Sequence, residues 1–508
     1  MQYPLPHPAA SPPLRSGAFR RRAVATLTAV VLALQAIVPA GVAAQGLPDL
    51  GDESQSLITP TQERKLGESI VRQIRASGAY LEDPEVNDYL NELGYRLVAA
   101  GKDSRQDFEF FAVADPSVNA FALPGGFIGV NMGLILLAQT ESELASVLAH
   151  EITHVTQRHL TRSAVGSQRS ILYQLAALAV AVLASRSNSA SAGDLASAAV
   201  ASAQALSIQS QLNYTREHEY EADRIGFARL TSAGFDPNAM AAFMGRLQRS
   251  ARFVEGNAPS YLRTHPITYE RIAEAQSRSD GLAYRQVPDS LDFHLVRALL
   301  RSYIGTPAEA VQWFDSALVD QKFNSELATR YGRVAALVRA DRIPAAREEF
   351  VRVEKMAPPH PMIAAMGAHV YKASGDYPEA LRRFEAALAK YPNKMQLVQD
   401  YPETLLSAGR VKDAIAFLEP QMQRFPDNGL LHRTAAGAYA ALGKRTQQHR
   451  HQAEYYAWRG DLPGAVVQLE LALKANDGDF YEYSVVETRL RTMRRDLAEQ
   501  QAAMARNG

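Results

Sequence analysis

The chain has 508 residues, 47% of them hydrophobic, with 54 Lys and Arg against 54 Asp and Glu. That length predicts two or three domains with substantial apolar cores, and the balanced charge gives no field that would draw in a nucleic acid or an anionic membrane. There are no cysteines, so disulfides and thiolate ligands are excluded and any metal must be held by His, Asp or Glu.

Arg20 to Arg22 precede an apolar run from Ala23 to about Val38, and Val42 and Ala44 form a small-x-small pattern before Gln45. This predicts a signal peptide over 1–44, removed on export. The run is short for a membrane span, and no cysteine follows it for lipid attachment. Residues 45–60 read as a polar linker. "PTQERKLGESIVRQIRASG" from Pro60 and "DPEVNDYLNELGYRLVAAG" from Asp83 predict two amphipathic helices, each closed by a glycine. "FEFFAVAD", "VNAFALP" and "FIGVN" predict strands, the last two joined by a turn over Pro124 to Gly126.

"TESE" predicts a helix start with Thr140 as N-cap and Glu143 completing a capping box. In the helix that follows, "LASVLAHEITHVTQRH", His150, Glu151 and His154 stand among Leu144, Leu148, Ile152 and Val155. Polar groups on such a stripe are costly unless something satisfies them. His150 and His154 are four residues apart and share one helical face. That spacing lets both imidazoles reach one zinc ion, with Glu151 beside them as general base for the attacking water. A catalytic zinc needs a third protein ligand and an open position. The metzincin extension is excluded: Gln157 and Leu160 stand where its Gly and His would be, and His159 falls one residue short, as a surface histidine or a support for a ligand.

Residues 171–184, "ILYQLAALAVAVLA", form an apolar run that is short for a span and predict a buried or surface-lying helix. "EHEYEAD" then offers Glu217, Glu219, Glu221 and Asp223. Glu219 and Asp223 share a helical face, a spacing suited to one metal ligand and one carboxylate orienting a zinc histidine. Without HExxH, the same cluster would read as a solvated acidic face.

After about 285 the sequence becomes a series of Ala-rich helical pairs. Pro358, Pro392 and Pro426 recur every 34 residues, as do Asp341, Gly375, Gly409 and Gly443, and Ala346, Ala380 and Ala414; Phe350, Phe384 and Phe417 nearly do. Looser copies begin at Gly305 and Gly460. This pattern resembles the tetratricopeptide repeat, a helix–turn–helix unit whose stacking leaves a concave surface suited to peptides or proteins.

Together "NAFALPGG", "ELASVLAHEITHVTQRH", "NYTREHEYEADRIGF" and "THPITYERI" resemble the HtpX and CaaX-prenyl-protease superfamily of zinc peptidases over about 60 to 275. The resemblance implies an α+β zinc metallopeptidase domain, mostly helical with a small sheet, over 61–284. An all-α tetratricopeptide-repeat solenoid over 285–508 follows it. It implies one Zn2+ per chain held by His150, His154 and Glu219, with Glu151 as base and Asp223 supporting a ligand. His265 in "THP" matches a histidine that can take the fourth zinc position and leave the enzyme latent; it also reads as a plain loop histidine before a helix. Asn119 and Ala120 resemble an edge strand on which an extended substrate pairs by strand addition. Arg271 is a candidate for oxyanion stabilisation. The membrane helices of HtpX have no good counterpart, which points to an exported, periplasmic form with at most peripheral membrane contact. The implied substrates are unfolded or misassembled envelope proteins, among them outer-membrane β-barrels, with the repeats docking on the assembly machinery. The competing reading is a periplasmic chaperone or scaffold whose protease site is rarely used.

Overall fold

The computed structural model describes residues 59–101, 106–164, 216–252, 259–283 and 287–507. The signal peptide, nearly all of the linker and the apolar run 171–184 lie outside them. Helix α1 (Pro60–Ala76) starts where Thr59 and Gln62 form a reciprocal capping box ahead of Pro60. Helix α2 (Pro84–Ala99) starts on Asp83, whose carboxylate accepts from Val86 N at 3.1 Å.

Strands β1 (Glu109–Val113), β2 (Ala120–Leu123) and β3 (Phe127–Asn131) form a sheet in the order β1–β3–β2. β1 runs parallel to β3 and β2 antiparallel to it, leaving β2 at the edge. Gly125 and Gly126 close the β2–β3 turn with φ of +77° and +91°, backbone that L side chains rarely adopt. The period-two alternation of β1 sorts its side chains between two cores. Phe110 and Ala112 join α2 in the main core, whereas Phe111 and Val113 pack with Ile70, Val71 and Ile74 of α1. The sheet is therefore covered on both faces.

A short helix not anticipated from the sequence, α3 (Met132–Leu137), leads into α4 (Glu141–Thr156). Thr140 caps α4 as expected, accepting from Glu143 N at 3.2 Å. The capping box is not completed: Glu143 accepts from Gln139 N at 2.7 Å and from Arg246 Nη2 at 2.7 Å instead. Then come α5 (His159–Ala164), α6 (Arg216–Ser232), α7 (Ala239–Arg252), α8 (Ser260–Thr264) and α9 (Tyr269–Asp280).

Helices α10 (Leu291–Ser302) to α21 (Phe480–Asn507) carry the repeats. Their turns fall where the sequence register puts them: Asp341, Gly375, Gly409 and Gly443 all have positive φ, as do Gly305 and Gly460 of the looser copies. Ala346, Ala380 and Ala414 are fully buried helix contacts. The large position of the third unit is Leu418 rather than Phe417: Leu418 is fully buried, as Phe350 and Phe384 are in theirs, and Phe417 is only partly so. The repeats pack directly on the N-terminal half. Tyr303 and Tyr331 hydroxyls donate to Asp83 and Glu85 at 2.5 and 2.8 Å, and Met395 N donates to Asp88 at 3.0 Å. Among the described residues no helix is long and apolar enough to cross a membrane.

Candidate metal centre

The site is built on α4, which is buried over nearly its whole length between the sheet, α2 and α6. Its helical period brings His150 Nε2 and His154 Nε2 to 2.9 Å. From α6, Glu219 places Oε2 3.5 Å from His150 Nε2 and Oε1 3.4 Å from His154 Nε2. His265, just after α8, puts Nδ1 3.0 Å from Glu219 Oε1 and 3.3 Å from His150 Nε2. One donor atom from each of these four buried residues lies within 4.8 Å of all the others.

The outward-facing ring nitrogens are held as well. His150 Nδ1 lies 3.0 Å from Asp223 Oδ1, one helical turn beyond Glu219 on α6. His154 Nδ1 lies 2.8 Å from His159 Nδ1, and His159 Nε2 lies 3.2 Å from Glu221 Oε2. Protons placed to satisfy these pairs run in one direction: His154 Nδ1–H donates to His159, and His159 Nε2–H donates to Glu221. In the neutral form that a metal requires, this leaves the Nε2 lone pairs of both His150 and His154 facing the centre.

The electrostatics favour a cation there. Burial pulls the His150 imidazole down, but hydrogen bonds to Asp223 and Glu219 more than reverse this and raise it to about 10, so a metal ion entering the site would displace a proton that these carboxylates otherwise hold on the ring. His154 is held well below the ordinary histidine range by burial and by the neighbouring His150. Glu219 stays ionised: burial pushes its carboxyl up, yet His265, His150 and His154 carry it well below the usual range. Two imidazole nitrogens and a carboxylate oxygen, converging with their lone pairs inward, fit a divalent transition metal. Both Glu151 oxygens are buried without a hydrogen-bond partner among the described residues, beside that centre. Glu151 Oε1 lies 3.5 Å from His265 Nε2.

Arg271, on α9, is buried and turned to the carboxylates. Its Nε and Nη2 donate to Asp223 at 2.6 and 2.8 Å, while Nη1 donates to Pro266 O at 2.8 Å and lies 2.6 Å from Glu219 Oε2. Asn119 and Ala120 lie where edge strand β2 begins, and Asn119 O accepts from Asn131 N at 2.9 Å. Val118 O, next along, accepts from Tyr261 N at 3.1 Å and Ser260 Oγ at 3.2 Å, which ties the His265-bearing segment to the start of the edge strand.

The acidic helix thus separates by face. Glu219 and Asp223 enter the centre, Glu217 points to solvent, and Glu221 pairs with His159 and Arg162. His159 is fully buried behind His154, so its surface reading does not hold. Sequence reasoning missed Glu221 as its partner, because the two lie 62 residues apart.

Residues 84–279 match the model of peptidase family M48, and residues 371–436 that of a tetratricopeptide repeat. With a cluster that could hold a metal ion, this defines a metallopeptidase domain followed by a tetratricopeptide region. An Escherichia coli K12 protein named beta-barrel assembly-enhancing protease is 31% identical over 458 residues, 89% of this chain and 92% of that one. The Yersinia pestis protein of that name is 30% identical over 455 residues, 87% and 92%. A Vibrio cholerae relative, given the name provisionally, is 41% identical over 299 residues, 58% of this chain and 60% of that one, so the match spans less than two thirds of it. The chain belongs to the family of beta-barrel assembly-enhancing proteases.

Proposed function

We propose that this metallopeptidase is a zinc endopeptidase exported to the periplasm, where it cleaves unfolded or misassembled envelope proteins, outer-membrane β-barrels among them. His150, His154 and Glu219 hold the ion. The observation that carries this reading is the convergence of their donor atoms beside a buried Glu151 whose oxygens have no hydrogen-bond partner among the described residues. Bound Zn2+ supplies a Lewis acid that makes water acidic near neutral pH. Glu151 takes the proton of the attacking water and returns it to the leaving amine nitrogen. Asp223 fixes the His150 ring through Nδ1, and Arg271 locks Asp223 and Glu219 in place rather than facing a substrate oxygen. An extended substrate adds to β2 at Asn119 and Ala120.

His265 is the fourth ligand of a latent state. Its Nδ1 already lies within 3.3 Å of His150 Nε2, in the space the attacking water needs. Residues 61–284 form the catalytic part and 285–508 the docking part. A cleft of about 1420 Å3 between α1 and the later repeats, lined in part by Arg72, Met395, Phe425, Trp458 and Arg489, supports protein docking on outer-membrane assembly machinery. No nucleic acid is involved, and membrane contact is at most peripheral. Zinc analysis of the purified protein tests the reading: one Zn2+ per chain in the wild type, lost in His150→Ala/His154→Ala. Near-stoichiometric zinc in that double variant would refute the ligand set.

A further inference from the structure

His154 is oriented from behind by His159, and the contacts that place His159 lead out of the site to α1. Helix α4 ends at Thr156, and α5 starts at His159. The turn between them is made by Arg158 with φ of +51°, a left-handed conformation that a residue with a Cβ adopts only when its surroundings impose it. Glu63 Oε1 is one of the atoms that hold it here. On the first turn of α1, it accepts from Arg158 Nε at 3.2 Å, Arg158 Nη2 at 2.7 Å and Thr161 Oγ1 at 2.6 Å. The carboxylate thus grips the residues on both sides of His159 along the chain. Glu63 and Thr161 are buried, and His159 is fully so.

α1 itself cannot yield easily. Gly67 meets the β2–β3 turn so closely that a Cβ would sit 2.1 Å from Pro124 O, and Arg64 Nη1 donates to Gly125 O at 2.9 Å. Further along, the Arg75 guanidinium lies over both the Tyr80 and Trp458 rings, at 4.7 and 4.6 Å.

We infer that Glu63 is a positioning residue for the metal centre, acting through the Arg158 turn and His159 to hold the His154 ring with its Nε2 lone pair toward the ion. This rests on the reading that His154 is a metal ligand. A group that orients a ligand histidine from outside the ligand set typically changes metal affinity by about 10- to 100-fold. Glu63 acts one residue further back, so Glu63→Ala should weaken zinc binding about tenfold, the lower end of that range.

The test is chelator-competition titration of Zn2+ on the full chain, for wild type, E63A, H159A and E63A/H159A, with the visible spectrum of Co2+-loaded protein as a second readout of ligand geometry. If Glu63 acts through His159, the double variant binds zinc no more weakly than H159A alone. Glu63→Gln, which keeps an acceptor for Thr161 and Arg158, regains most of the affinity and the wild-type cobalt spectrum. Unchanged zinc affinity in folded E63A, or losses that multiply in the double variant, would overturn the inference. Should E63A not fold, Thr161→Val enters the same cycle and is judged by the same two criteria. Wild-type protein that binds no Zn2+ would overturn the metal reading and this inference with it, whereas tight wild-type binding left unchanged by E63A overturns this inference alone.

Discussion

Two groups of neighbouring histidines among the described residues have opposite character, one at the candidate metal centre and one in the repeats. At the metal centre His150, His154 and His265 converge with Glu219, and His150 is raised to about 10 as Asp223 and Glu219 outweigh burial. In the repeats, His432 and His451 bring their Nδ1 atoms to 2.9 Å, with the Tyr439 ring stacked on His451. There burial lowers both, His451 well below the ordinary range. Neither member of that pair is hydrogen-bonded to a carboxylate among the described residues. Converging imidazoles alone make a packed, neutral contact; it takes ionised carboxylates aimed at the same point to make a cation site.

The contrast breaks if metal follows histidines rather than carboxylates. Glu151→Gln should lower peptide hydrolysis by about 10²–10⁴ with zinc retained, the usual range for losing a positioned base. His432→Ala/His451→Ala should leave the zinc content and the hydrolysis rate at wild-type values. Elemental analysis alongside a peptide-cleavage assay would show it, and zinc lost with the repeat pair would end the distinction.

A second measurement sharpens what His265 does in the first group. His265→Ala should raise cleavage or self-cleavage several-fold, an increase of roughly 1 kcal/mol in transition-state access, and adding Glu151→Gln should abolish it. Lower activity with zinc still bound would make His265 an aid to catalysis, and the latch would be discarded.

The two smaller predictions concern pH. A histidine depressed on folding contributes stability above its unfolded pKa near 6.5, and that contribution is lost as pH falls below it. Unfolding titrations should therefore show His451→Phe narrowing the acid loss of stability below that pH by about 1 kcal/mol. The carboxylate contact between α2 and the repeats runs the other way. Burial pushes Asp88 up to about 6, ahead of the lowering effect of its bond from Met395. Its protonated form is the one the fold favours, so its contribution is present below the unfolded value near 3.9 and is lost as pH rises through the folded one. Asp88→Asn keeps an acceptor for Met395 N and should stabilise the protein by roughly 1 kcal/mol at pH 8 and progressively less toward pH 5. A gain that grows on acidification would contradict the assignment.

Local spacing explains how much of this was legible beforehand. The i,i+4 relation of His150 and His154, and of Glu219 and Asp223, follows from the helical period alone, and the structure keeps both pairs on their faces. Recurrence of small and turn residues every 34 positions likewise marked the repeats, since each unit must make the same turn and the same close helix contact. Where a feature depended on which of two adjacent residues enters a core, the pattern failed, as with Phe417 and Leu418. Glu143 failed for a related reason: Gln139 N and Arg246, brought near by folding, compete for the carboxylate that a capping box would use.

Ligand-type residues, helix faces and repeat period are properties of neighbours along the chain, and the sequence by itself determined them. Tertiary structure alone decided which partners complete them. His265 reaches His150 across 115 residues, His159 turns from a surface candidate into the support of His154, and Arg271 spends its donors on Asp223 and Glu219. Glu63 grips the Arg158 turn from 95 residues away. The physical reason is that a carboxylate, an imidazole or a guanidinium suits many partners equally well in sequence terms; only the packing of α1, α6, α8 and α9 around α4 selects which of them each one meets.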